Sequence, residues 1–220
     1  MGSRLAEVQA RVERAATGSG RAPTSVTLVV VSKTVPADVV RDALAAGATD
    51  LGENRAQELV AKAAELGDVA PAPRWHFIGR LQRNKVRMLA GVVDLWHSID
   101  RPELAEPLAR HCPGARVLVE VNLSDEPQKG GCHPSDAPAL VERLTASGLV
   151  VEGLMTVPAA TGDPRPVFAA LREMGAGLGL AELSMGMTAD FEAAIAEGAT
   201  IVRVGSAVFG PRSGPEGLRR

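Results

Sequence analysis

The chain has 220 residues, of which 45% are hydrophobic, so it can bury a substantial core in one domain. A formal net charge of −2 leaves no basic footprint for nucleic acid, and no stretch resembles a signal peptide or a membrane span. Two cysteines, Cys112 and Cys132, do not make a disulfide framework, which favours a reducing cytoplasm.

Strand-like and helix-like segments alternate after a charged amphipathic helix over 4–14. Eight segments have the apolar or β-branched character of strands: 26–32, 49–52, 74–78, 93–97, 116–122, 150–156, 182–185 and 200–204. Seven segments between or after them have the periodicity of helices: 36–46, 54–66, 81–90, 102–111, 135–147, 166–178 and 188–197.

This alternation predicts a single (β/α)8 TIM barrel over 1–220 with an extra N-terminal helix. The chain is shorter than the usual length of about 250 residues for that fold, so we expect no second domain. No segment has the length or composition of a linker between domains. A doubly wound open sheet is the alternative architecture.

Lys33 is the candidate for covalent chemistry, because it directly follows the apolar run 26–32. Partial burial there disfavours the ammonium form, and a neutral amine can attack an aldehyde to form a Schiff base. The other lysines, Lys62, Lys85 and Lys129, lie in helix-like or loop segments and are not placed for this reaction. The alternative is a lysine that simply extends its ammonium into solvent.

Two loops combine glycine with hydroxyl side chains where barrels often bind phosphate, after strands seven and eight. They cover 184–188 and 204–207. Glycine allows close approach of the backbone to a ligand, and a hydroxyl can bond an anion oxygen. The two loops together predict an anion site, with ordinary turn chemistry and a Thr188 helix cap as the alternative.

Further polar residues lie at or near strand ends. Periodicity does not decide whether Arg203 faces the barrel interior or a helix. Asn54 follows the second strand and could be only a helix cap, and His76 could be only a core histidine. Asn122 and the pair 155–156 end strands five and six, although Met155 is expected to serve packing.

Metal binding is not expected. The adjacent pairs at 111–112 and 132–133 join histidine and cysteine, but their spacing matches no usual zinc pattern. Nucleotide-binding glycine fingerprints and the zinc-protease helix motif are also missing from the sequence.

Motifs spread over nearly the whole chain, in matching order, resemble those of the pyridoxal phosphate homeostasis proteins, the YggS/PROSC family. They are VSKT at 31–34, GEN at 52–54, WHFIGRLQRNK at 75–85, EVN at 120–122, GLMT at 153–156, SMGMTADF at 184–191, VRVG at 202–205 and FGPR at 209–212. The resemblance implies a fold-type III barrel, like the N-terminal domain of alanine racemase, that binds pyridoxal 5′-phosphate (PLP).

The resemblance also implies a set of PLP-binding residues. Lys33 would carry the cofactor as a Schiff base, Arg203 would approach the pyridine nitrogen, and the two glycine-hydroxyl loops would hold the phosphate. The full set is Lys33, Asn54, His76, Ser184, Thr188, Arg203, Gly205 and Ser206.

The resemblance implies a role in vitamin B6 homeostasis rather than robust catalysis. In related racemases a tyrosine from a second domain is the acid–base partner of the lysine, and this chain contains no tyrosine. A cation such as Arg203 beside the pyridine nitrogen also weakens PLP as an electron sink. We therefore predict a cytoplasmic PLP carrier without robust activity, with a weak amino-acid racemase-type enzyme as the alternative.

The expected partners follow from the same resemblance. They are PLP, other B6 vitamers and, transiently, PLP-dependent apoenzymes, with no nucleic acid and no membrane, and the chain is expected to be a monomer. Two further alternatives remain open at this point: a Schiff-base aldolase for a sugar phosphate, and an interaction protein in which PLP only reports B6 status.

Overall fold

Eight parallel strands close into a barrel in the computed structural model, which describes residues 2–124, 126 and 129–210. The strands are β1 (Thr27–Val31), β2 (Asp50–Glu53), β3 (Arg74–Phe77), β4 (Leu95–Ile99), β5 (Arg116–Glu120), β6 (Val150–Met155), β7 (Glu182–Met187) and β8 (Ile201–Val204). Each strand pairs with the next in sequence, and β8 pairs with β1. The predicted barrel is therefore confirmed, and the open sheet is excluded.

Helices follow the strands and cover the outside of the barrel. Within the described residues they are α1 (Gly2–Gly18), α2 (Ala37–Ala45), α3 (Ala56–Glu65), α4 (Val86–Leu89), α5 (Ala105–His111), α6 (Ala137–Ala146), α7 (Arg165–Gly177), α8 (Phe191–Ala196) and α9 (Ser206–Phe209). The extra N-terminal helix α1 packs on α8 through buried residues at helical spacing, among them Leu5, Val8 and Val12. None of the helices in the described ranges is long and apolar enough to cross a membrane.

The predicted helix 81–90 is wrong at its N-terminal end, because α4 covers only Val86–Leu89 after a 3₁₀ turn. The carbonyls that would begin a longer helix have other partners. The Gly79 carbonyl accepts from the hydroxyl of Ser98, and the Leu81 carbonyl accepts from Arg101 at 2.7 Å. Contacts with the β4 end therefore hold this segment in a loop.

The alternative role of Thr188 and Asn54 as helix caps does not hold. The N-cap residue is Asp190 rather than Thr188 at α8, and Arg55 rather than Asn54 at α3. At α8 the chain makes an additional turn before the helix, and the Asp190 carboxylate accepts from the backbone N–H of Met187 at 2.6 Å. Thr188 consequently stays in the loop that follows β7.

The inside of the barrel contains a small apolar cluster and a chain of hydrogen-bonded polar residues. Side chains from five strands form a small apolar cluster: Val29, Leu95, Leu118, Met155 and Ile201. Met155 serves packing, as expected. A much larger apolar core lies between the strands and the helices. The polar interior residues are described next, because they lead to the candidate site.

Candidate functional site

A cavity of about 710 Å³ opens beyond the C-terminal ends of β7, β8 and β1. These three strands are neighbours in the barrel, so the loops that follow them meet at one place. This end of a parallel barrel is the usual location of functional sites. The cavity is lined by Val31, Lys33, Thr34, Val35, Pro36, Val39, Ile78, Met187, Thr188, Ala189, Arg203, Gly205, Ser206, Phe209 and Gly210.

Lys33 lies in the turn that directly follows β1, and its half-buried side chain contributes to the cavity wall. The next residue, Thr34, has a φ of +66°, a backbone region that β-branched residues rarely adopt. Such a conformation persists only when surrounding groups hold it. Here the N–H of Thr34 donates to the carboxylate of Glu58 on α3.

The two glycine-hydroxyl loops come together beside the Lys33 turn and line the same cavity. The N–H of Gly205 points to the hydroxyl of Thr188 at 3.4 Å, and Ser206 follows in the same wall. A Cβ at position 205 would lie 3.1 Å from the carbonyl oxygen of Val31. Glycine therefore lets the β8 loop lie against the end of β1 without crowding this carbonyl.

Arg203 faces the barrel interior, which resolves the ambiguity left by periodicity. Only 4% of the residue is exposed. Its guanidinium donates to the hydroxyl of Ser184 at 2.6 Å and to the carbonyl of Thr156 at 3.0 Å. Burial lowers the pKa of Arg203 to about 10, with Glu120 opposing the shift, so the side chain stays cationic at neutral pH.

A continuous chain of buried hydrogen bonds runs below Arg203. Ser184 contacts Nδ1 of His97 at 2.9 Å, His97 contacts His76 at 2.8 Å, and His76 contacts Asp50 at 3.0 Å. An assignment that satisfies every group runs in one direction. Arg203 donates to the Ser184 hydroxyl, and that hydroxyl donates to Nδ1 of His97. Nε2 of His97 then donates to Nδ1 of His76, and Nε2 of His76 donates to the Asp50 carboxylate.

The charge states of His97 and Asp50 agree with this direction of hydrogen bonding. Burial lowers the pKa of His97 well below its ordinary value, and His76 and Arg203 add to the effect, so His97 is neutral. Burial alone would raise the pKa of Asp50, but hydrogen bonds from His76, Arg74 and Thr49 hold it below its ordinary value. Asp50 is therefore an anion that anchors the lower end of the chain.

The structure brings five of the eight predicted residues to the cavity wall: Lys33, Thr188, Arg203, Gly205 and Ser206. The other three lie elsewhere. Ser184 and His76 are buried in the chain below Arg203, and Asn54 is half-buried just after β2. Direct contact of these three with a ligand stays a prediction.

The residues predicted at the ends of β5 and β6 have structural partners. The side-chain amide of Asn122 donates to the carbonyl of Glu126 at 2.9 Å, and the hydroxyl of Thr156 donates to the carbonyl of Val121 at 2.9 Å. Positions 125, 127 and 128, between β5 and α6, lie outside the described residues, as do positions 211–212 of the FGPR motif.

Sequence reasoning missed Glu120, the last residue of β5. It is 9% exposed, and a Cβ at position 130 would lie 3.0 Å from its Oε1. Burial raises the pKa of Glu120 to about 7, Asp100 raises it further, and Arg203 and Arg80 oppose the shift. Alternation with the interior residue Leu118 was the signal that could have indicated an inward carboxyl group.

His97 was missed in the same way, since it alternates with the interior residue Leu95 on β4. Lys62 was also missed as a structural element of the site. It is buried behind the Lys33 turn, although its helical segment carried no sign of burial.

Comparison with known proteins identifies the class. Residues 4–213 match the family model for the N-terminal domain of alanine racemase. The chain therefore belongs to this family of barrels. Lysine decarboxylase from Selenomonas ruminantium, at 14% identity and a TM-score of 0.71, shares the fold over 94% of this chain and 61% of its own.

Closer relatives identify the particular family. A pyridoxal phosphate homeostasis protein of Pseudomonas aeruginosa is 46% identical, and the match covers 94% of each chain. The protein of that name from Aquifex aeolicus is 43% identical, and the match covers 95% of this chain and 97% of its own. The chain belongs to the pyridoxal phosphate homeostasis protein family.

A solved structure of a similar protein contains PLP. PipY of Synechococcus elongatus with PLP bound is 38% identical and has a TM-score of 0.80. The match covers 91% of this chain and 100% of the PipY chain.

Proposed function

We propose that this protein binds PLP reversibly as a Schiff base on Lys33 and acts in intracellular vitamin B6 homeostasis. The observation that carries the proposal is the position of Lys33. Its side chain lines the same cavity as a cradle of glycine and hydroxyl groups, formed by Thr188, Gly205 and Ser206. The family of the chain and the PLP-bound relative PipY support the same ligand.

The groups around the cavity fit PLP. The Thr188 and Ser206 hydroxyls and the close approach of backbone at Gly205 suit a phosphate. PLP supplies an aldehyde, with which a primary amine forms a C–N bond while one water molecule leaves. Lys33 provides that amine, and hydrolysis or exchange with another amine reverses the bond.

Arg203 supports binding rather than catalysis. As a buried cation at the cavity, it would oppose protonation of a pyridine nitrogen placed next to it. An unprotonated ring is a weak electron sink, so loss of the α-proton from a bound amino acid would be slow. The arrangement therefore favours holding and releasing PLP.

We further propose the cytoplasm as the compartment, a monomer as the working form, and transient contacts with PLP-dependent apoenzymes as the route of transfer. The free thiols of Cys112 and Cys132 support a reducing compartment. Reversible attachment through one lysine supports transfer, because an acceptor amine can displace Lys33 without any further cofactor.

Replacement of Lys33 tests the proposal. Wild-type protein mixed with PLP is expected to show a visible absorption band that borohydride fixes onto the peptide containing Lys33. Lys33→Ala is expected to lose the band and the adduct, whereas the control Lys85→Ala retains both. A Lys33→Ala variant that keeps its colour and retains PLP through dialysis would refute the proposed bond.

One observation favours a second candidate, a weak amino-acid racemase-type enzyme. Glu120 is a buried carboxyl group with a pKa of about 7, a property suited to proton transfer at neutral pH. Exchange of the α-proton of amino acids in heavy water, followed by NMR, distinguishes the two. Robust turnover that Lys33→Ala abolishes would establish the enzyme over the carrier.

A further inference from the structure

A buried ionic cluster lies directly behind the Lys33 turn, outside the cavity wall. Its centre is the ammonium group of Lys62 on α3, whose side chain is 7% exposed. The Lys62 Nζ lies 2.5 Å from the carbonyl oxygen of Ser32, 2.6 Å from Oε1 of Glu53 and 2.8 Å from Oε1 of Glu58. All three donor positions of the ammonium group are therefore used.

The cluster forms hydrogen bonds with the residues on both sides of Lys33. The hydroxyl of Ser32, the preceding residue, donates to Oε1 of Glu53 at 2.7 Å. The backbone N–H of Thr34, the following residue, donates to Oε1 of Glu58. The Lys33 turn is thus tied to α3 and to the end of β2 through groups that Lys62 holds together.

The conformation of the turn needs such support. A φ of +66° at Thr34 is unfavourable for a β-branched residue. Without an external partner for its N–H, this residue would relax toward negative φ. That change would rotate the peptide units on which the Lys33 side chain is mounted.

The cluster is poorly suited to be a device for stability alone. Two carboxylates share one lysine, and Oε2 of Glu53 is buried without a hydrogen-bond partner among the described residues. Burial raises the pKa of Glu53, although hydrogen bonds from Lys62 and Ser32 oppose the shift. Buried ion pairs often stabilise a fold less than apolar replacements of similar volume.

We propose that Lys62, acting through Glu53, Glu58 and the Ser32 carbonyl, is a positioning residue that sets the Lys33 amine for imine formation. The proposal rests on the proposed function, because it concerns how Lys33 reaches the aldehyde of PLP. Lys62 itself does not line the cavity, so its effect is on orientation rather than on contact with the ligand.

The main test measures the binding of two ligands to the variant Lys62→Met. This substitution keeps most of the apolar part of the lysine side chain and removes its ammonium group. PLP has an aldehyde, whereas pyridoxine 5′-phosphate has the same ring and phosphate but cannot form an imine. The rate at which the visible imine band appears is expected to fall at least about tenfold in the variant, since small misplacements of reacting groups have effects of this size. Its affinity for pyridoxine 5′-phosphate is expected to stay within about twofold of wild type.

A matched pair at Glu58 keeps the proposal testable if Lys62→Met does not fold. Glu58→Ala removes the acceptor for the Thr34 N–H and is expected to slow imine formation several-fold. Glu58→Gln leaves an amide oxygen at that place and is expected to restore most of the rate. Lys85→Met, which removes a lysine outside the cluster, is the control and should match wild type.

The outcomes separate this proposal from the proposed function. If wild-type protein forms no imine, the proposed function fails. If wild type forms it and Lys62→Met forms it at the same rate, the positioning role is overturned. Equal rates in Glu58→Ala and Glu58→Gln, or a parallel loss of both ligands in every cluster variant, would also overturn it.

Discussion

Glu120 shows how one buried residue makes the stability of the fold depend on pH. Its ordinary pKa of 4.5 rises to about 7 in the folded protein, first through burial and then through Asp100. The folded state therefore holds this proton more tightly than the unfolded chain does. The stability that the protonated Glu120 side chain adds to the fold is fully present below about pH 4.5 and is lost as the pH rises through about 7.

Glu120→Gln is expected to remove that loss. The free energy of unfolding of the variant minus that of wild type should be about 2–3 kcal/mol larger at pH 8 than at pH 5, because each pKa unit corresponds to about 1.4 kcal/mol. Urea denaturation at both pH values measures it. Glu106→Gln, at a mostly exposed side chain, is the control. A Glu120→Gln difference that does not change with pH would contradict the expectation.

Residues of the candidate site differ in how well sequence could predict them. Lys33, Gly205 and Ser206 follow strands directly, so the topology of a parallel barrel was sufficient to bring them together. Lys62 was not predictable, because Glu58 and Lys62 at i and i+4 have the spacing of an ordinary exposed helical pair. Its burial depends on Glu53 and on the Ser32 carbonyl, which approach only in the folded barrel.

Among the secondary-structure elements, strands were predicted within about two residues, since buried parallel strands are continuous apolar runs. Helix α4 was not, because partners distant in sequence occupy the carbonyls of the loop before it. Local periodicity contains no information about such partners. The short helix α9 was missed as well, and four residues are too few to produce a periodic signal.

The pairing of β6 with β7 depends on the absence of a side chain at Gly153. A Cβ there would lie 1.8 Å from the backbone carbonyl oxygen of Glu182, so the strands would have to separate. Gly153→Ala is expected to lower the free energy of unfolding by about 3 kcal/mol, the upper part of the range for overpacked sites. Urea denaturation followed by circular dichroism measures the change.

Gly177 at the end of α7 provides the control, because a Cβ there would have no neighbour within 4 Å. Gly177→Ala is expected to raise the free energy of unfolding by about 0.5–1 kcal/mol through reduced freedom of the unfolded chain. Similar stabilities for the two alanine variants would show that the β6–β7 approach is less constrained than the structure indicates.

At the scale of the molecule, the eight described strands close into a barrel and leave no edge among themselves for pairing with a second chain. In the described part of the chain the exposed large hydrophobic residues are Met88 and Val150, which belong to different elements. Scattered apolar residues of this kind do not form the continuous patch typical of a stable dimer.

We therefore expect a monomer with and without PLP. Sedimentation velocity should give one species near the chain mass of 22.9 kDa over a wide range of protein concentration. A species of twice that mass that grows with protein concentration, or on addition of PLP, would contradict this expectation.

The polar chain inside the barrel has a consequence for the end of the molecule farthest from the cavity. Asp50 receives two short hydrogen bonds from Arg74, a largely solvent-exposed side chain at the start of β3. Aligned dipoles in a dry interior polarise one another. A continuous series of hydrogen bonds therefore connects the buried guanidinium of Arg203 at the cavity with a solvent-exposed guanidinium at the N-terminal end of the strands.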